Sequence, residues 1–304
     1  MRLFSGTSNL PLAKSVASLL HMKLGDAEIT RFIDNECRVY IRENVEGQDV
    51  YVLQSLSEVA DQHLVELCLV GQAIKGLGAK KVTAVIPWMG YSKQDKAFRK
   101  GEAISAQLVA RFIESAGFDA VIAAELHSKS VLPYFSVPVT EISTHSLLGN
   151  AAPTKRVLEG CFENTVVASP DKGGRLRSEQ FAHEVKLDIA YLKKVRDVVT
   201  GNVTVTGTDT DIAGKTVIIF DDIINTAATA IQTSAYVKKQ GAQVVLFLAT
   251  HAVFAGNAVK ALAQSVIDRV VVTDTIVIPK EKQFEKLSIV SIAPLLAEVL
   301  SHSV

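Results

Sequence analysis

The chain has little cysteine: Cys37, Cys68 and Cys161 are its only thiols in 304 residues, and none forms a CxxC pair. That excludes a disulfide framework and a structural zinc site, and leaves small, partly buried thiols in a reducing compartment. Charge of one sign is missing as well, since 32 Lys and Arg balance 32 Asp and Glu. No bulk affinity for nucleic acid or an anionic membrane follows, so any anion site must be a local arrangement. The stretch MRLFSGTSNLPLAKSVASLL is interrupted by Gly6, Asn9 and Pro11, and no run of 18 or more apolar residues occurs. It reads neither as a membrane span nor as a secretion signal, which points to a soluble cytoplasmic protein. Short repeats and low-complexity tracts are absent too.

What is present is ordinary globular material, 48% hydrophobic and 21% charged, long enough for two domains. Short Val/Ile-rich runs recur along it: DVYVLQ (49–54), KVTAVIP (81–87), AVIAAEL (120–126), TVVASP (165–170), TVIIFDD (216–222), QVVLFLAT (243–250) and RVVVTDT (269–275). They are apolar almost throughout, as parallel strands covered on both faces must be. Helical periodicity fills the intervals. AISAQLVARFIESAG sets Ile104, Leu108, Val109, Phe112 and Ile113 on one face and stops at Gly117, while LVELCLVGQAIKGLG and ATAIQTSAYVKKQG also end in Gly. Alternating β and α predicts an α/β protein of open parallel sheets, with ligands beyond the carboxyl ends of the strands. Small and polar residues at 141–153 mark a boundary between two α/β domains of about equal length.

Chemistry concentrates in TVIIFDDIINTAAT (216–229). Four apolar residues, Val217 to Phe220, lead straight into Asp221 and Asp222. Buried carboxylates side by side need a metal, hydroxyls or cations as partners. The small residues that follow open a helix, whose first N–H groups and partial positive charge favour an anion. Thr226 and Thr229 add hydroxyl donors. Acids for sugar hydroxyls beside a turn for a phosphate describe a sugar-phosphate site.

FDDIINTAAT resembles the phosphoribosyl diphosphate motif shared by type I phosphoribosyltransferases and ribose-phosphate diphosphokinases (PRPP synthases). LFSGTSNLPLA, RFIDNE, QSLS, VIPWMGYSKQD, ELH, SPDKGG, THAVFAG, VVTDTI and SIAPLLAEVL then follow the order and spacing of the second family across nearly the whole chain. The resemblance implies two phosphoribosyltransferase-like domains, each a mainly parallel sheet flanked by helices. They span 1–147 (ATP and oligomer contacts) and 148–304 (ribose 5-phosphate site), with the last helix packing back on the first domain as a variant. It implies transfer of the β,γ-diphosphoryl group of MgATP to the C1 hydroxyl of ribose 5-phosphate, giving PRPP and AMP. That chemistry needs cations around the moving phosphates, in-line positioning and a divalent metal.

Site residues come with the resemblance. His127 of ELH and Asp171 of SPDKGG hold Mg2+ with ATP, an unusual pair for a cation that prefers oxygen. Lys194 and Arg196 of YLKKVRDVV occupy a mobile catalytic loop. By composition alone that segment is a solvated charge cluster. Lys93, Gln94, Asp95 and Arg99 bind ATP from the basic GYSKQDKAFRKGE segment. Phe32 stacks on adenine while Asp34 and Glu36 bond its edge, from a hairpin that reaches a neighbouring subunit. A homo-oligomer follows, at least a dimer, with a hexamer as the larger alternative. Asp221, Asp222, Asn225, Thr226, Ala227, Ala228 and Thr229 bind ribose 5-phosphate. FSGTSN and QSLS read as ordinary polar turns.

Four positions depart from the family pattern: Glu125 stands where an aspartate usually precedes Leu-His, which keeps the charge, and three others change the chemistry. Asn225 replaces an acid, Ala228 a glycine and Lys93 a common arginine. Asn loses a negative charge, Lys loses the planar fork, and Ala at a positive φ strains a turn by about 1 kcal/mol. Two alternatives to an active synthase follow: a non-catalytic regulatory paralogue, or a diphosphokinase with another pentose-phosphate acceptor.

Overall fold

The apolar runs become interior strands of two sheets because both of their faces are covered. The computed structural model describes residues 1–170, 174–196 and 203–302, with the backbone alone at 193–196 and 203–206. Chain contacts divide it into two units. The first holds Met1–Ser143, Thr275–Val277 and Ser291–Val304, and the second holds Thr144–Asp274 and Ile278–Val290.

In the first unit the chain runs β1 (Arg2–Ser5), α1 (Leu10–Leu19), β2 (Ala27–Arg31), β3 (Cys37–Ile41), β4 (Asp49–Leu53), α2 (Ala60–Gly76), β5 (Lys81–Ile86), α3 (Ser105–Ser115), β6 (Ala120–Ala124) and β7 (Val139–Ile142). Five strands pair in the order β1-β4-β5-β6-β7, all parallel, while β2 and β3 form a separate antiparallel hairpin. Every residue of β6 is buried. Gly117 takes φ +94°, closing off α3 in the left-handed conformation that glycine tolerates without a Cβ clash. The apolar face of α3 is broader than one buried stripe. Ala106, Val109, Ala110 and Ile113 are buried, whereas Leu108 and Phe112 are half-exposed and line an apolar groove of about 620 Å3 with Val65 and Cys68.

The second unit runs α4 (His145–Asn150), α5 (Ala152–Leu158), β8 (Thr165–Ser169), α6 (Arg175–Val185), β9 (Asp188–Arg196), β10 (Val203–Thr208), β11 (Thr216–Ile224), α7 (Ala228–Lys239), β12 (Val244–Ala252), α8 (Ala258–Ala263), β13 (Arg269–Thr273) and β14 (Leu287–Val290). Its sheet has the order β10-β9-β8-β11-β12-β13-β14, and only the β10–β9 pair among these is antiparallel. Alternation along β11 explains its unbroken hydrophobicity. Val217 and Ile219 enter a core with Val237 of α7 and Leu262 of α8. Ile218 and Phe220 point the other way, into a core with Leu148 and Phe181. Phe220 stacks on Phe181 at 4.4 Å between ring centroids, and burying such a side chain contributes about 1.5–3 kcal/mol.

Helix α9 (Ala293–Ser301) follows β14 in the chain but belongs to the first unit, where it packs on α1. Among the described residues no helix is long and apolar enough to cross a membrane.

Candidate functional site

β11 pairs with β8 only as far as Ile219, but with β12 as far as Ile224. The acids therefore stand just past the point where β8 and β11 part, the crevice where open α/β sheets bind ligands. Asp222 has a side chain 1% exposed and Asp221 one 15% exposed. Their partner is a cation. Arg177 on α6 sets one guanidinium nitrogen, Nη1, 3.2 Å from Asp221 Oδ1 and 2.9 Å from Asp222 Oδ1. Sequence reasoning demanded such a partner without locating it. The signal that was there is a basic residue early in the helix that follows SPDKGG.

The turn after β11 is ordered by the THAVFAG segment. Ile224 O accepts from the N–H groups of Val253 and Phe254, and Asn225 O accepts from Ala255 N–H at 2.9 Å. Ala227 takes φ +65° and is buried. Ala228, where the family carries glycine, is the first residue of α7 and is not among the positive-φ residues. The strain expected at Ala228 therefore falls on Ala227, because the left-handed residue is the one that closes the turn before the helix starts. Ala227 at the N-cap brings no capping side chain to α7, and no acid lies in its first turn. Its leading N–H groups have no partner within the helix. Thr226 is exposed and Thr229 half-buried beside them.

Lys194 and Arg196, expected on a loop, lie in the far half of β9, where they pair with Val205 and Val203 of β10. The intervening residues 197–202 lie outside the described residues, as does Asp171. Three residues before Lys194, Tyr191 ties β9 to α6. Its hydroxyl donates to Glu179 Oε1 at 2.8 Å, and the Arg175 guanidinium lies 4.0 Å from its ring centroid. Arg175 holds the Glu179 carboxyl below its ordinary range, and the bond to Glu179 pushes the Tyr191 phenol up.

In the first unit His127 lies three residues past the end of β6, half-buried. The preceding Glu125 is buried at φ +39°, and Leu126 N–H donates to Glu141 Oε1 at 2.9 Å. Among the described residues no group of three His, Cys, Asp or Glu side chains is placed to hold a metal. Mg2+ in phosphoryl-transfer sites keeps waters and takes only one or two protein ligands beside the phosphates. Of the two expected ligands only His127 is described, a nitrogen donor for a cation that prefers oxygen.

The basic segment is drawn to the same region. Asp95 accepts from Ser130 Oγ at 2.6 Å, and Asp95 O accepts from Tyr134 Oη at 2.6 Å, just beyond His127. The Ser130 bond holds the Asp95 carboxyl below its ordinary range. Gln94 Oε1 accepts from Ser105 Oγ at 2.8 Å, which anchors the segment to the start of α3. Glu102 Oε2 accepts from the N–H groups of Phe98 and Arg99, while the Lys93 and Arg99 residues remain exposed. Phe32, Asp34 and Glu36 gather at the tip of the β2–β3 hairpin. Asn35 at φ +72° closes that turn, Phe32 is 53% exposed, and its neighbour Ile33 is fully exposed.

The FSGTSN and QSLS turns are more than connectors. Glu66 of α2, 2% exposed, accepts from Thr7 N at 2.6 Å and Gln54 Nε2 at 2.7 Å. Gln54 Oε1 in turn accepts from Ser8 N and Ser8 Oγ. This satisfied buried network fixes both turns at the carboxyl ends of β1 and β4.

Two family models match: the N-terminal domain of ribose phosphate pyrophosphokinase over residues 1–117, and the phosphoribosyl synthetase-associated domain over residues 201–303. The chain is 36% identical over 302 residues to a ribose-phosphate pyrophosphokinase of Bacillus subtilis, covering 99% of this chain and 93% of that one. It is 38% identical over 300 residues to that of Aquifex aeolicus, covering 99% and 94%. The crystal structure of phosphoribosylpyrophosphate synthetase from Mycobacterium smegmatis superposes with a TM-score of 0.90 at 33% identity, covering 99% and 98%.

Proposed function

This chain belongs to the ribose-phosphate pyrophosphokinase (PRPP synthetase) family, a family of nucleotide biosynthesis, and from that premise we propose how its residues divide the reaction. The β,γ-diphosphoryl group of MgATP passes to the C1 hydroxyl of ribose 5-phosphate. The C1 oxygen bonds to the β-phosphorus, the bond from that phosphorus to the bridging oxygen breaks, and AMP leaves with that oxygen. The hydroxyl proton goes to solvent.

The observation that carries the reading is the buried acid pair near the end of β11, followed after a short turn by a helix whose N-cap residue, Ala227, brings no capping side chain. Ionised carboxylates only accept hydrogen bonds, which suits the hydroxyls of a pentose. Asp221 and Asp222 take those hydroxyls, and Asn225, Thr226, Ala227, Ala228 and Thr229 surround the 5-phosphate at the positive end of α7. On the nucleotide side, Phe32, Asp34 and Glu36 take the adenine, while Lys93, Gln94, Asp95, Arg99 and His127 take the phosphates and ribose. Lys194 and Arg196 meet the charge that develops on the diphosphoryl group, where prepositioned cations contribute most. His127 and Asp171 hold the Mg2+ that comes with ATP, which supplies neutralisation of the polyphosphate charge.

The exposed Phe32 and Ile33 at the hairpin tip support a homo-oligomer of at least two copies, which light scattering of the purified protein measures. Three free cysteines agree with a cytoplasmic setting. The test of function is incubation with MgATP and ribose 5-phosphate, followed by 31P NMR for AMP and PRPP. Absence of turnover at saturating substrates overturns the proposal and returns the regulatory-paralogue reading. Asn225 in place of an acid favours a second reading, a changed pentose-phosphate acceptor. A kcat/KM series over pentose phosphates decides it, and a sole preference for ribose 5-phosphate dismisses it.

A further inference from the structure

We infer that Arg177 is a positioning residue for the pentose end of the site: it draws Asp221 and Asp222 together so that both carboxylates serve one ligand. The inference rests on the reading that these acids receive the pentose hydroxyls. Its basis is a geometric conflict inside β11. Consecutive strand residues direct their side chains to opposite faces, so adjacent aspartates should diverge. Here a single nitrogen, Arg177 Nη1, lies within 3.2 Å of Asp221 Oδ1 and 2.9 Å of Asp222 Oδ1. One atom in reach of both brings the two oxygens to a common point near the strand's end.

The cation also answers an electrostatic need. Asp222 is almost fully buried, and Asp221 and Arg177 are each 15% exposed, so little water screens the two negative charges from one another. A guanidinium suits the task, since Nη1 carries two N–H groups and the planar fork is rigid. Arg177 sits on α6, whose third residue it is, while the acids lie near the end of β11, before Ile223 and Ile224. Their spacing is therefore set by the packing of a helix on a sheet rather than by the phosphate turn. Asp222 N–H donating to Asp221 Oδ1 at 3.0 Å adds a second constraint on the same oxygen.

Steady-state kinetics of Arg177→Gln, Arg177→Lys and Asp221→Asn test this, with ribose 5-phosphate and 2-deoxyribose 5-phosphate as acceptors. Losing hydrogen bonds to charged groups predicts that Arg177→Gln raises KM for ribose 5-phosphate roughly tenfold. KM for ATP stays within about twofold, as the nucleotide makes no use of these acids in the proposed division of roles. The preference for ribose 5-phosphate over its deoxy analogue shrinks in the same variant, which a merely structural residue would not cause. Arg177→Lys recovers part of both effects, because it keeps the charge and loses the fork. Equal shifts in both KM values, or an unchanged acceptor preference, overturn the inference. Should Arg177→Gln fail to fold, the Lys variant decides by the same two ratios. Asp221→Asn separates the inference from its premise. If it leaves KM for ribose 5-phosphate unchanged, the pentose reading itself fails. If it raises that KM while Arg177→Gln does not, only the positioning role fails.

Discussion

Asn225 and Ala227 stand two residues apart in the phosphate turn, and each tests a different physical term. Asn225→Asp adds a negative charge close to Asp221, Asp222 and the intended phosphate. Added repulsion offsets any gain in acceptor capacity, so kcat/KM for ribose 5-phosphate should change by less than about threefold. A large gain in the same assay would identify Asn225 as a defect. Ala227 is buried at φ +65°, where a β-branched side chain meets both backbone and core. Ala227→Val should cost about 2 kcal/mol or more in denaturant unfolding. Asp95 offers a titration test. Its carboxyl is depressed chiefly by the Ser130 hydroxyl, so the stabilisation is present above the unfolded pKa and is lost as pH falls through the folded one. In Ser130→Ala the Asp95 titration, followed by carboxyl 13C NMR, should move up toward the ordinary range.

At the scale of elements, what was legible follows from how locally each signal is written. Interior strands such as β5, β6 and β11 announce themselves because both faces are covered and almost every residue is apolar. β1, β7 and β14 are four-residue strands at sheet edges, too short for a pattern. β9 hides because its end is charged and its partner β10 is rich in Thr. The same contrast governs the site. Acid pair, turn and helix start are contiguous, so the motif is visible in one line of sequence. Arg177 meets Asp221 across 44 residues and Ser130 meets Asp95 across 35, separations that carry no period. Gly90, the first residue of the basic segment, faces the backbone carbonyl of Leu56 where a Cβ would stand. Backbone on both sides leaves little room to give. Gly90→Ala should therefore destabilise by about 1–3 kcal/mol and raise KM for ATP more than KM for ribose 5-phosphate, read from melts and kinetics.

On the scale of the whole molecule, the path of the chain matters more than any one contact. It leaves the first unit after Ser143, returns for Thr275–Val277, leaves again, and comes back at Ser291. Leu296 and Leu300 of α9 are buried in that unit, and α1 contributes Leu12 and Val16 to its core. Each fully buried Leu contributes about 1.5–3 kcal/mol, so ending the chain at Val290 should lower the melting temperature and raise binding of a hydrophobic dye. A chain that melts like the full-length protein would contradict this. During translation the same path imposes an order of completion. β1 to β7 leave the ribosome first, yet the helix that finishes their unit is made only after the whole of the second unit. A nascent chain released before residue 291 would carry every strand of both sheets and still lack a finished first unit. Such a chain would leave the α1 surface that α9 covers open to solvent.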